Sequence, residues 1–154
     1  MTDQPIHAAV ARLTTPEECE EFAQWAQART PDLAAQARRR AVELRAAAHG
    51  ARNTVEQELY AAVYAYEAVL ASKRDRRVTA SRTWQMIRRH GIVQAAERAV
   101  NRPEPTAGYK ALVELGLANH AFEAVILRHP ESFSAEAVAR ATGRMNQLRV
   151  AEEQ

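Results

Sequence analysis

Residues 55–71 read VEQELYAAVYAYEAVLA, and this stretch decides the fold. Its apolar residues recur at helical spacing and form two neighbouring stripes. The first stripe consists of Val55, Leu59, Val63, Tyr66 and Leu70, and the second consists of Tyr60 and Tyr64. A helix that is apolar on two faces is usually surrounded by other helices. We therefore expect a buried central helix in which the tyrosines are packing residues rather than part of a cofactor site.

Capping residues and glycines divide the rest of the chain into further helices. Thr15-Pro16 with Glu18, and then Thr30-Pro31, are typical helix starts, and Thr54 with Gln57 predicts a capping box for the central helix. Ser81 and Ser134 are expected to cap later helices, and the two prolines of residues 101–105 predict a rigid loop. Helices are expected to end at Gly50, Gly91 and Gly116.

These signals predict an all-α fold, a compact multi-helix bundle of about six to eight helices. Long N-terminal helical hairpins would be followed by shorter C-terminal helices. We expect a single helical domain over residues 1–154. Its parts would be a long-helix half (1–72), a basic segment of short helices (73–102) and the C-terminal helices (106–150).

Composition excludes several classes of protein. The 154 residues include 33 alanines but only five glycines and six prolines, which suits helices. Cys19 is the single cysteine, so neither an internal disulfide nor a cysteine-based zinc site is expected. The N-terminus lacks the pattern of a signal peptide, and no apolar run is long enough to cross a membrane. We therefore expect a soluble cytoplasmic protein, and residues 108–134 are typical of small bacterial proteins.

Charge is distributed unevenly along the chain. Residues 73–102, here called the basic segment, hold nine basic side chains against two acidic ones, while the parts before and after it are net acidic. Such clustering is typical of a surface that binds a polyanion. The basic residues are Lys73, Arg74, Arg76, Arg77, Arg82, Arg88, Arg89, Arg98 and Arg102. By contrast, we expect Arg38, Arg39 and Arg40 to form a solvated helix face.

The basic segment thus predicts a non-enzymatic, accessory or regulatory protein that binds nucleic acid, with DNA favoured over RNA. Two short helices joined at Gly91 are reminiscent of a helix-turn-helix, but the usual small residue before the turn is missing. Contacts to the phosphate backbone are the broader interpretation. Trp84 is a candidate for stacking on a base, although a role as a core anchor is the simpler interpretation.

An alternative function is interaction with a protein partner or a second copy of the chain. The acidic residues 17–21 and those near the C-terminus would then pair with the basic segment of a neighbouring molecule. The charge pattern predicts this association as readily as it predicts nucleic-acid binding.

We expect no catalytic site, no metal site and no cofactor. Arg45 with His49 has the residue types of a helical ribonuclease, but the spacing is one residue too short. His120 and Glu123 share a helix face, as metal ligands would, but a second such pair is missing. Cys19 lies beside four glutamates, which are expected to raise its pKa and make the thiol unreactive.

Overall fold

The computed structural model describes residues 6–74, 76–102 and 107–153, and these contain helices and no strand, which confirms the all-α bundle. The helices are α1 (Ala8–Ala11), α2 (Pro16–Ala26), α3 (Pro31–His49), α4 (Thr54–Arg74), α5 (Ser81–His90), α6 (Ile92–Asn101), α7 (Ala107–Glu114), α8 (Phe122–Arg128) and α9 (Ala135–Glu153). Short 3-10 turns at Ala118–His120 and Pro130–Ser132 flank α8. The prolines of the predicted rigid loop lie outside the described residues.

The number of described helices exceeds the expected range by one, because the sequence analysis did not anticipate α1. The C-terminal part is also less uniformly short than predicted, since α9 has 19 residues, as many as α3. The residues 118–128 do not form one continuous helix. Instead Ala121 adopts an extended backbone conformation and separates a 3-10 turn from α8. No described helix is long and apolar enough to cross a membrane.

Helix α4 lies between two hydrophobic clusters, as its apolar pattern predicts. Ala65 and Val69 on one side pack with Leu117, and Leu59 and Val63 on the other pack with core residues of α5, α6 and α8. The predicted stripe is correct in part only. Tyr66 is exposed, because the buried positions follow the faces covered by α3 and α7 on one side and by α6 and α8 on the other.

Several predicted helix ends are confirmed. Thr15 and Glu18 form the reciprocal capping box at the start of α2. Ser134 caps α9, since its hydroxyl accepts a hydrogen bond from the backbone N–H of Ala137 at 3.1 Å. Gly50, Gly91 and Gly116 all have positive φ at the ends of α3, α5 and α7, as expected for helix-terminating glycines.

Other caps differ from the sequence prediction. At α4 the capping pair is Asn53 with Glu56, one residue before the predicted pair, and Asn53 Oδ1 accepts from the Glu56 N–H at 2.9 Å. Thr30 does not cap α3 with its side chain. Ser81 does not cap α5 either. Its place is taken by Glu67 of α4, whose Oε2 accepts a hydrogen bond from the backbone N–H of Ala80 at 2.7 Å.

Candidate functional site

All nine cations of the basic segment have exposed side chains. Within the part of the chain that the structure describes, none of them lies within 4.0 Å of a carboxylate oxygen. Lys73 and Arg74 end α4, Arg76 and Arg77 lie in the connection to α5, and the other five lie on or directly after α5 and α6. Because these charges are neither buried nor paired with a described carboxylate, they are available to another molecule.

The arginines of α3 behave differently, and the expectation of a solvated face at Arg38–Arg40 is wrong. Arg39 donates to the carbonyl of Gly116 at 3.0 Å, and Arg40 donates to the carbonyl of Leu13 at 2.7 Å. Arg38 is half-buried and donates to the carbonyl of Leu115 at 3.4 Å. These side chains satisfy carbonyls at the ends of α1 and α7, which have no partner within their own helices.

Residues of α5 and α6 border a shallow groove of about 790 Å³, here called the α5/α6 groove. Arg98 and Arg102 line it together with Met86 of α5. Arg82 and Arg89 are seven residues apart, two helical turns, and therefore lie on the same side of α5. Positive charge thus lies on the exposed sides of both helices.

The likeness to a helix-turn-helix is limited at α6. Gly91 alone separates the two helices, with φ 83° and ψ 161°. Glu97 of α6 binds Ser134 and so is not free to contact a base. Its carboxylate accepts a hydrogen bond from the Ser134 backbone N–H at 2.9 Å and another from the hydroxyl at 3.0 Å. Gln94 and Arg98 remain exposed on this helix.

A second concave region lies between α2, α3 and the end of α4. It has a volume of about 420 Å³ and is lined by Arg38, Arg76 and Arg77 together with Glu20 and Glu21. We call it the arginine cleft. The backbone N–H of Arg76 donates to the carbonyl of Ala71 at 3.4 Å, which holds the cleft-lining connection against the last turns of α4.

Trp84 belongs to an aromatic cluster that sequence reasoning did not identify. The His49 ring lies nearly parallel to the indole, with centroids 5.2 Å apart and planes 11° apart, and it also stacks on Tyr60 at 3.9 Å. Tyr64 accepts or donates a hydrogen bond to His49 Nδ1 at 3.0 Å. Trp84 Nε1 donates to Glu67 Oε2 at 2.7 Å. Trp84 as a stacking residue for a base stays a prediction.

Burial alters the acidity of the tyrosines in this cluster. Removal from water disfavours the phenolate and raises the pKa of both Tyr60 and Tyr64. Nearby carboxylates, Glu56 for Tyr60 and Glu67 for Tyr64, act in the same direction. Both phenols therefore stay neutral at physiological pH and serve as packing and hydrogen-bonding groups.

The side chains of the two residue pairs considered for catalysis or metal binding are engaged with other partners. Arg45 pairs with Glu20 at 2.9 Å and Glu17 at 3.3 Å, while His49 joins the aromatic cluster. His120 lies 3.7 Å from Glu43, whereas Glu123 binds Arg144 at 3.0 Å. Among the described residues, no group of three or more histidine, cysteine or acidic side chains is placed to hold a metal ion.

Cys19 is fully buried on α2. Burial is the main reason that the pKa of its thiol is raised, and Glu18 and Glu20 add to the effect while Arg40 opposes it. The predicted rise of the Cys19 pKa is correct in direction, but burial and not the neighbouring glutamates is its larger cause.

No family model, no curated protein and no solved structure matches this chain. The described residues present exposed guanidinium groups, the α5/α6 groove and the arginine cleft, both lined in part by arginines, and an aromatic cluster. Guanidinium groups bind phosphate and carboxylate through paired N–H donors. The chemistry that this arrangement supports best is anion binding.

Proposed function

We propose that this chain binds nucleic acid through the exposed arginines of its basic segment. The observation that supports the proposal is the contrast between two sets of arginines. Arg39, Arg40 and Arg45 are engaged with carbonyls or carboxylates of the chain itself. The nine cations of the basic segment have no such carboxylate partner among the described residues.

Clustered like charges repel one another and reduce the stability of the compact state. A phosphate backbone relieves this repulsion, and binding is driven further by the release of its condensed counterions. Arg82, Arg88 and Arg89 lie on α5 and Arg98 lies on α6, and Gly91 alone joins these two helices. They suit contacts to successive phosphates rather than to one ligand atom.

Contacts to the backbone, rather than to base edges, are the favoured mode. The only long polar side chains of α6 that are exposed and carry no carboxylate are Gln94 and Arg98. Backbone contacts position a protein on nucleic acid without reading its sequence. Weak sequence preference is therefore part of the proposal, and duplex DNA is the first ligand to test, with RNA of the same sequence for comparison.

The test is the affinity for duplex DNA at several salt concentrations, measured for the wild type and for Arg88→Glu/Arg89→Glu. We expect the double variant to bind more weakly and to lose about one unit of the logarithmic salt slope for each phosphate contact removed. Lys110→Glu/Arg140→Glu makes the same charge change outside the basic segment and is expected to retain most of the affinity. Absence of binding by the wild type at low salt would exclude the proposed function.

Association through complementary charges is the second candidate. Trp25 favours an interface, since it is 67% exposed on the acidic helix α2 and aromatic residues are enriched in protein interfaces. Internal pairing weakens this candidate, because Glu17 and Glu20 bind Arg45 and Glu18 caps α2. Light scattering without nucleic acid distinguishes the two functions, because a charge-driven oligomer loses mass as salt rises.

A further inference from the structure

We propose that the arginine cleft binds a phosphomonoester group, with Arg38, Arg76 and Arg77 as its ligands. The proposal concerns a small concave site between α2, α3 and α4 and not the exposed arginines of α5 and α6. It shares Arg76 and Arg77 with the basic segment, but it rests on Arg38 and the shape of the cleft, and it is tested with ligands other than duplex DNA. The shared chemistry is a terminal phosphate, whether it belongs to a free nucleotide or to the end of a nucleic-acid strand.

Arg38 is the residue that makes the cleft unusual. Its side chain is half-buried, and its guanidinium donates to the side-chain oxygen of Gln27 and to the carbonyl of Leu115. Neither acceptor carries a charge, and no described carboxylate lies within 4.0 Å. Buried charges in proteins are normally paired with an opposite charge. Burial also lowers the pKa of Arg38, and an anion in the cleft would offset that cost.

The other charged groups of the cleft leave a surplus of positive charge. Glu20 is paired with Arg45, whose Nη2 donates hydrogen bonds to the two carboxylate oxygens at 2.9 and 3.1 Å. Glu21 has no cationic partner among the described residues, so three guanidinium groups face one uncommitted carboxylate. A phosphomonoester, which carries up to two negative charges near neutral pH, complements this surplus better than a singly charged carboxylate does.

The size of the cleft limits the ligand. A volume of about 420 Å³ falls within the range of about 300–1,000 Å³ typical of small-molecule sites. A smaller cavity of about 60 Å³ adjoins it, and the two share Arg38 and Arg77. Tyr64 and Val78 line that smaller cavity. The cleft therefore accommodates a mononucleotide or a strand end.

The experiment is calorimetric titration of the full chain with adenosine 5′-monophosphate, with adenosine as the uncharged comparison. We expect the monophosphate to bind and adenosine to bind at least tenfold more weakly. Arg76→Gln/Arg77→Gln removes two exposed ligands without disturbing the core, and we expect it to weaken monophosphate binding by at least tenfold. Glu21→Gln removes the repelling carboxylate and is expected to tighten binding severalfold.

Lys110→Gln/Arg140→Gln is the matched control, since it removes the same charge outside both the cleft and the basic segment. Unchanged monophosphate affinity in this variant supports the cleft, whereas an equal loss would mean that only net charge matters and would overturn the proposal. Equal binding of adenosine, or undiminished binding by Arg76→Gln/Arg77→Gln, would also overturn it.

Single-stranded oligonucleotides with a 5′-phosphate or a 5′-hydroxyl identify the source of the phosphate. Preference for the phosphorylated strand, abolished by Arg76→Gln/Arg77→Gln, assigns the cleft to strand ends. Equal binding of the two strands, with monophosphate binding retained, assigns it to free small phosphates. If the chain fails to bind duplex DNA but still binds the monophosphate, the function proposed above is excluded and the proposal for the arginine cleft stands.

Discussion

At the scale of single residues, Glu67 of α4 links the start of α5 to the aromatic cluster. One of its oxygens, Oε2, accepts hydrogen bonds from the Ala80 N–H and from Trp84 Nε1, both at 2.7 Å. It therefore fixes the start of α5 and the position of the indole at once. Because Ala80 is buried, its N–H has no access to water if that acceptor is removed.

We expect Glu67→Ala to lower the free energy of unfolding by about 1–3 kcal/mol, the cost of leaving a buried donor unsatisfied. Urea unfolding followed by circular dichroism measures the change. Glu43→Ala is the control, since Glu43 is exposed and lies 3.7 Å from His120 in its one ion pair among the described residues. A Glu67→Ala protein as stable as this control would show that the two hydrogen bonds add nothing to the fold.

The hydrogen-bond partners of single residues could not all be predicted from the sequence. Ser81 has the right residue type to cap α5, yet the cap comes from Glu67, thirteen residues before Ala80. Arg38–Arg40 look like surface charges because residue type gives no information about which carbonyls of other helices lie nearby. A long-range partner has no signal in the local sequence, and local patterns are all that a single sequence offers.

At the scale of elements, α3 and the end of α7 approach each other closely at Gly116. Gly116 has φ 76°, and a Cβ atom there would lie 2.5 Å from the Cβ of Ala35 and 3.3 Å from Arg39 Nη1. Gly50 has φ 89° but open space around it. The two glycines therefore share a positive φ and differ in their surroundings.

We expect Gly50→Ala to destabilise the fold by about 1–2 kcal/mol, the cost of the left-handed conformation for an L residue. Gly116→Ala is expected to cost more, because the backbone of α3 or α7 must also shift. Thermal unfolding of the two variants gives the comparison. Equal losses for both would contradict the close approach of α7 to α3.

The sequence predicted the helices and their ends more accurately than any other feature of the structure. The positive-φ glycines, the Thr15 capping box and the Ser134 cap are local signals, and the structure confirms them. The break at Ala121 has no local signal, because alanine favours helix and only the packing of the surrounding chain can override that preference. The partition of α4 into two buried faces followed from hydrophobic spacing alone.

At the scale of the whole molecule, Glu58 connects the central helix to the C-terminal part. Its carboxylate binds Arg128 at 2.8 Å and His129 at 2.9 Å. Burial raises the pKa of Glu58, but the hydrogen bonds and positive charge of His129 and Arg128 outweigh burial, so that the pKa lies below its ordinary value of 4.5. The carboxylate is therefore more acidic in the folded than in the unfolded chain.

A lowered pKa in the folded state stabilises the fold above the unfolded pKa, and this contribution disappears as the pH falls through the folded value. We expect the free energy of unfolding to decrease below about pH 5 as Glu58 takes up a proton. Glu58→Gln is expected to have a smaller decrease over the same range. Urea unfolding at a series of pH values measures both, and identical pH profiles would exclude this role for Glu58.

The candidate site is predictable only in part at this scale. The basic segment is visible in the sequence because nine cations occur within thirty residues. The arginine cleft is not, since Arg38 is separated from Arg76 by 38 positions and their proximity depends on how α3 and α4 pack. The aromatic cluster likewise joins the end of α3 to α5 across α4.

That cluster gives the molecule a built-in optical label. The chain has two tryptophans. Trp25 faces water, and Trp84 is surrounded by His49, Tyr60 and Tyr64. Excited tyrosines so close to an indole pass their energy to it, and the indole therefore emits light from within the basic segment. A Trp25→Phe protein would emit from Trp84 alone. Its emission spectrum would follow ligand titrations of the unmodified surface in real time, without any attached dye.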